Sequence, residues 1–212
     1  MTPPAGGFQD RLVVITGVGR AGQAGEAIAA AFARDGAELV LLDRDAGVVE
    51  RAKELAAGGA RVRGIVADLT DPADATRAAR EALGSDDRPL AALVAAAGGF
   101  AMSGPVGESD PSVWHRQIAI SLTTAYVATR AFMSALRRGK GSIVYFGAAA
   151  VLPGGAVAEK SAYAAAKAGV LALMQAVSQE EWKNGVRANA VAPTMIRTAM
   201  NVSDMGADRN YV

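Results

Sequence analysis

The chain has 212 residues, and its 22 Lys and Arg against 21 Asp and Glu leave no charge excess to draw it to nucleic acid or to an anionic membrane. With no cysteine and one histidine it can form no disulfide, thiolate metal site or cysteine nucleophile, and no metal is expected. Hydrophobic residues make up 51% but aromatics only 5%, so a core of Ala, Val and Leu is expected, in one domain covering 1–212.

No apolar stretch approaches the roughly 20 residues that a spanning helix needs. Residues 1–10 read as a tail without a basic segment leading into an apolar run, so a soluble, cytoplasmic protein is expected. Residues 12–15 form a short continuous apolar run, the pattern of a strand covered on both faces. Immediately after it, residues 16–25 read Thr-Gly-Val-Gly-Arg-Ala-Gly-Gln-Ala-Gly and lead into a helical stretch over 26–34. Strand, glycine loop and helix are the context of a dinucleotide site, where pyrophosphate sits on free N–H groups at the helix start. Gly17, Gly19, Gly22, Gln23 and Gly25 are the candidate cradle; an ordinary tight turn is the alternative.

A second strand over 39–42 stops at Asp43, about where an acid holds the two ribose hydroxyls of NAD and repels the extra phosphate of NADP. Arg44 beside it is a basic group that a phosphate could use, yet with Asp43 present NAD is favoured. The alternation continues with a helix over 46–57, a strand over 62–66, a helix over 72–83 and a strand over 90–95. Such repeats predict an α/β fold with a parallel sheet and helices on both faces. Asp68 and Leu69 follow the third strand, where their side chains could edge the adenine. Ala95, Ala96, Ala97 and Gly98 close the fourth with little side-chain bulk, which suits either a cofactor against the backbone or close helix packing.

A long helix is expected over 114–137; His115 near its start reads as a solvated or capping side chain. The fifth strand covers 142–146, a glycine and alanine loop 147–158, a helix 161–182 and a sixth strand 186–191. Tyr163 and Lys167 lie four apart and so share one helix face. A free phenol has a pKa of about 10, and a nearby ammonium lowers it, which would let Tyr163 exchange a proton at neutral pH. A helix with an edge tyrosine and a solvated lysine is the alternative. Pro193, Ile196 and Thr198 lie on the loop after the sixth strand, and residues 199–212 read as a flexible lid or an unfinished connection.

Together these motifs resemble the short-chain dehydrogenase/reductase superfamily over essentially the whole chain. The matches are Thr16-Gly17 with its loop, Asp43, Asp68-Leu69, Ala97-Gly98, Tyr163-x-x-x-Lys167, residues 189–193, and Thr198-x-Met200. The resemblance implies a doubly wound Rossmann-type sheet, with Tyr163 as proton donor or acceptor. It also implies that Lys167 holds the nicotinamide ribose and tunes the phenol, and that Thr198 contacts the carboxamide end. The family pattern further implies a helix and a final strand after the lid, and with the sequence ending at Val212 either the chain is shortened or that strand comes from elsewhere.

Three departures stand out. Residues 147–150 offer no hydroxyl where the family has a serine, Ser121 replaces the usual catalytic Asn, and Ala95-Ala96 replaces Asn-Asn before Ala97-Gly98. The glycine loop is also about two residues longer than usual, as in enoyl reductases of the superfamily, although their wider Tyr to Lys spacing is absent. Residues 96–101, Trp114, Gln117, Ser121, Gly147-Ala148 and residues 198–201 with Met205 resemble dihydropteridine reductase and its bacterial relatives. That branch implies reduction of a quinonoid, pterin-like ring by NADH, whose delocalised charge needs fewer donors than a ketone does. An ordinary alcohol dehydrogenase or ketone reductase, and a catalytically impaired dinucleotide sensor, are the alternatives. The superfamily commonly pairs subunits through its two long helices, implying a homodimer or homotetramer, with Val170, Leu171, Met174 and Val177 as a seam or as part of the chain's own core.

Overall fold

The computed structural model describes residues 7–84 and 88–199. Six parallel strands form one sheet in the order β3-β2-β1-β4-β5-β6: β1 Leu12–Thr16, β2 Glu38–Asp43, β3 Arg61–Val66, β4 Ala92–Ala95, β5 Ser142–Phe146 and β6 Arg187–Val191. The order reverses between β1 and β4, where Thr16 pairs with Ala95. Such a reversal opens a crevice at the carboxyl ends of the strands, and ligands bind there.

Alternation explains the apolar runs. Val14, Val40 and Leu42 face one side of the sheet, with α3 (Pro72–Leu83), α5 (Thr124–Gly139) and α6 (Ser161–Glu181), while Val13, Ile15, Leu39 and Leu41 face the other, with α1 (Ala24–Arg34) and α2 (Gly47–Ala57). Each such side chain, fully buried, contributes about 1.5–3 kcal/mol. The scarcity of aromatics is met by close packing: α3 buries Ala75, Ala78, Ala79 and Ala82 along one stripe. Its start is set by Asp71, whose side chain accepts from Ala73 N–H ahead of Pro72 at the first position.

The long helix expected over 114–137 is instead three pieces: α4 (Pro111–Gln117), a π-helical turn (Ile118–Thr123) and α5. The Thr124 hydroxyl donates to Ile120 O at 2.8 Å, and such back-bonding competes with the regular ladder. β4 starts at Ala92 rather than residue 90 because Leu90 N–H bonds Ala135 O on α5 at 3.0 Å. Part of the expected tail is packed, with Phe8 edge-on against Phe32 at 4.9 Å.

Val170 and Val177 belong to the chain's own core, and Met174 packs against it. The α5 and α6 helices are also tied by Arg137, whose Nε donates to the buried Glu181 carboxylate at 2.8 Å. Among the described residues no helix is long and apolar enough to cross a membrane. Residues 1–6 and 200–212, including Met200, Asn201 and Met205 of the expected lid, lie outside the described residues.

Candidate active site

At the switch point the backbone itself makes the floor of a crevice. The Thr16 hydroxyl accepts from Ala97 N–H at 3.0 Å, stitching the end of β1 to the loop after β4. Gly17 has φ +81°, and a Cβ there would lie 2.8 Å from the Cα and N of Ala97, so both conformation and space demand glycine. A Cβ on Gly25 would fall 2.3 Å from Gly17 O, which explains how closely α1 approaches the loop. No side chain caps α1 at Gln23, leaving its first N–H groups for an anion. Loop donors at Gly17, Gly19 and Gly22 are already engaged, by Leu42 O at 2.9 Å, the Asp43 carboxylate and Glu26 Oε2 at 2.6 Å respectively.

Asp43 ends β2 with its carboxylate fixed against the loop. Its Oδ2 accepts from Gly19 N–H at 2.8 Å and its Oδ1 from Asp45 N–H at 2.9 Å, while Arg44 is exposed beside it. This glycine floor, uncapped helix start and anchored acid fit a dinucleotide. Leu69 departs from expectation, while Asp68 is only partly buried. Leu69 is 4% exposed and packs into the core, so its side chain cannot edge an adenine, and Asp68 Oδ1 accepts from both the N–H and the hydroxyl of Thr70.

Across the crevice, α6 presents Tyr163 and Lys167. Lys167 is 7% exposed, its Nζ donates to Phe146 O at 2.8 Å, and burial pulls its pKa down to about 8. Its ammonium lies 6.0 Å from the centre of the Tyr163 ring. Burial pushes the Tyr163 phenol up, which corrects the expectation of a lowered value. Desolvation outweighs the ammonium here because that cation is turned toward a β5 carbonyl.

Gly98 sits between the polar groups of this half. A Cβ on it would lie 3.4 Å from Ser121 Oγ, on the π-helical turn, and 3.5 Å from Lys167 Nζ, so both polar groups border the same point. The Ser121 hydroxyl is 2% exposed and has no protein partner among the described residues. After β5 Gly147 leaves little room for a side chain, since a Cβ there would lie 2.7 Å from Leu171 Cδ2, and Ala148 beside it is buried. Ala149 N–H bonds Pro193 O at 2.9 Å, linking this loop to the one after β6. That second loop carries Ile196 and the buried Thr198 to the crevice, where Ala199 N–H bonds Gly22 O at 2.9 Å.

Two features were not anticipated from sequence. The Phe146 carbonyl holds Lys167, which no side-chain pattern announces. Phe100 meets the Tyr163 ring edge-on at 5.0 Å and 81°; an aromatic following Gly98-Gly99 was the available signal. His115 is exposed, and its Nδ1–H donates to Pro111 O at 2.8 Å, away from any catalytic arrangement. A separate surface hollow beside β3, bordered by Val49, Lys53, Arg63 and Glu81, shares no residue with the crevice.

Comparison with known proteins agrees with this geometry. A family model described as short chain dehydrogenase matches residues 11–208. The 2-(S)-hydroxypropyl-CoM dehydrogenase 3 of Xanthobacter autotrophicus is 39% identical over 207 residues, covering 95% of this chain and 78% of that protein. An inactive 2-(S)-hydroxypropyl-CoM dehydrogenase 2 of the same organism is 37% identical over 186 residues, 85% of this chain and 77% of that protein. Among solved structures, a metagenomic short-chain oxidoreductase in complex with NADP superposes with a TM-score of 0.80 at 29% identity, over 94% of this chain and 90% of the other. These two curated relatives are named for a hydroxylated substrate rather than a pteridine. With the 3-2-1-4-5-6 sheet, the glycine floor and the Tyr163–Lys167 helix in place, the chain belongs to the short-chain dehydrogenase family of oxidoreductases.

Proposed function

We propose that this chain is an NAD(H)-dependent dehydrogenase that interconverts a small secondary alcohol and its ketone, with Tyr163 as the proton-transfer group. The observation that carries the reading is the half-buried phenol of Tyr163 beside a lysine held at the crevice by the Phe146 carbonyl. A bound nicotinamide supplies or accepts the hydride. For reduction the Tyr163 phenol gives its proton to the ketone oxygen and is left as phenolate; for oxidation that phenolate takes the hydroxyl proton and returns to phenol. Lys167, with its pKa near 8, stays largely protonated at neutral pH and favours the phenolate that forms. Asp43 favours NAD by meeting the ribose diol with a fixed carboxylate, whereas an added phosphate would face that charge. Gly17, Gly19, Gly22, Gln23 and Gly25 would cradle the pyrophosphate, and Pro193, Ile196 and Thr198 would border the nicotinamide end.

The named substrate of the hydroxypropyl-CoM dehydrogenase supports the alcohol reading. A second reading, reduction of a quinonoid, pterin-like ring, is favoured by residues 147–150, which offer no hydroxyl to a ketone oxygen. A third, a binding protein that has lost catalysis, is favoured by the relative named inactive. Oxidation of NADH and NADPH, measured with a panel of secondary ketones and with a quinonoid dihydropterin, separates them. Turnover of ketones with NADH supports the proposal; turnover of the dihydropterin alone, or of nothing, overturns it. We extend the proposal to a cytoplasmic homodimer or homotetramer joined through the outer faces of α5 and α6, which light scattering tests.

A further inference from the structure

We propose that Phe100 positions the Tyr163 phenol and forms one wall of the substrate site, favouring secondary alcohols whose carbinol carbon carries an aryl or similarly flat apolar group. The substrate half of this inference rests on the alcohol dehydrogenase reading above; the positioning half does not. The Phe100 ring is 56% exposed, a costly state for an aromatic, yet it is held in place. Its edge-to-face contact with Tyr163 has the geometry that aromatic pairs prefer.

The loop that carries it is pinned to the start of α6. Ser103 and Gly104 N–H groups donate to Glu159 O at 2.8 and 3.1 Å, and the Ser103 and Ser161 hydroxyls lie 3.2 Å apart. Glu159 has φ +59°, a conformation unusual for its residue type and stabilised where these bonds form. On the other side, a Cβ on Gly99 would come within 3.0 Å of Ile120 Cδ1, so the loop also rests on the π-helical turn. Phe100 is thus held by an anchored loop, with its ring against Tyr163 and more than half of the residue exposed.

The loops at the same edge of the sheet carry other exposed apolar side chains. Met102 on the loop after β4, Leu152 and Val157 after β5, and Met195 after β6 are all large exposed hydrophobics. A polyol would set its hydroxyls against these side chains, whereas an apolar substituent would bury them. Phe100 contributes nothing that ionises; among the described residues the charged group recorded against the Tyr163 ring is Lys167, from the same helix.

The test uses the full chain and reads the phenol directly. Phenolate absorbance is titrated in the native protein and in Phe100→Ala and Phe100→Leu, with Tyr163→Phe as the blank, after thermal melts establish folding. Removing the ring admits water, so the Tyr163 midpoint falls by about 0.5–1 pH unit in Phe100→Ala and by less in Phe100→Leu. For 1-phenylethanol, kcat/KM falls about tenfold in either variant, against less than about threefold for propan-2-ol. An unchanged midpoint in a folded Phe100→Ala protein, or in Phe100→Leu and Phe100→Ala alike, overturns the positioning role. Equal losses on the two alcohols overturn the wall. If the native protein oxidises no alcohol, the substrate claim fails with the reading it rests on, while the titration still decides the positioning role.

Discussion

The half of the sheet proposed to hold the nucleotide, β1 to β3, and the half proposed to hold the chemistry, β4 to β6, build their parts of the crevice from different materials. On the first, the floor is main chain: Gly17 and Gly25 have no room for a Cβ, and the fixed carboxylate of Asp43 is oriented by N–H groups of Gly19 and Asp45. On the second, the polar groups are side chains: Tyr163, Lys167 and Ser121. Substituting a backbone site disrupts the fold locally, so its signature persists. Residues 147–150 offer no hydroxyl around the packed Gly147, and the scaffold there is intact.

Four substitutions test this division, beginning with the largest effect. Tyr163→Phe should lower kcat by about 10²–10⁴-fold while leaving the cofactor Kd unchanged, read by steady-state kinetics beside an NADH binding titration. If both change together, the two halves are not separable. Lys167→Met should cost on the order of 100-fold in kcat, yet not lower Tm. Its folded-state pKa is depressed to about 8 from 10.5, so between those values the folded chain binds fewer protons than the unfolded one. Stability from this group is therefore missing at neutral pH and is gained as pH rises from about 8 toward 10.5. Thermal melts across that window should show the native protein gaining on Lys167→Met.

On the nucleotide half, Asp43→Ala should weaken NADH binding about 10–100-fold and NADPH binding less, with kcat at saturating cofactor little altered. The smallest effect sharpens the comparison from the other side. Ala148→Ser returns a hydroxyl to the loop after β5 and should raise kcat on simple ketones by about tenfold or less, a fraction of what a preorganised donor provides.

What could be read from the chain follows the same line. α3 and β5 begin and end where the sequence places them, because Asp71-Pro72 sets a helix start and a continuous apolar run sets a strand. The glycine loop and Asp43 were legible because close backbone approach excludes other residues. The π-helical turn was not, since the Thr124 back-bond that accompanies it competes with a helical pattern that otherwise continues. The direction of the Tyr163 shift was also hidden. Spacing shows that Lys167 shares its helix face, but burial and the Phe146 carbonyl, contributed by distant parts of the chain, decide how both groups titrate. The Phe100 contact joins residues far apart in sequence and leaves no periodic trace.

The central claim is that the phenol on α6 and the glycine floor at β1 serve one bound nicotinamide dinucleotide, and a crystal structure of the full chain with NADH tests it most directly. The account predicts the pyrophosphate along Gly17 to Gly25, the adenosine ribose on Asp43, and nicotinamide C4 close enough to Tyr163 Oη, about 4–5 Å, for a substrate carbon and oxygen to bridge them. A nicotinamide ring placed away from Tyr163, or a nucleotide bound elsewhere than along those glycines, would contradict it.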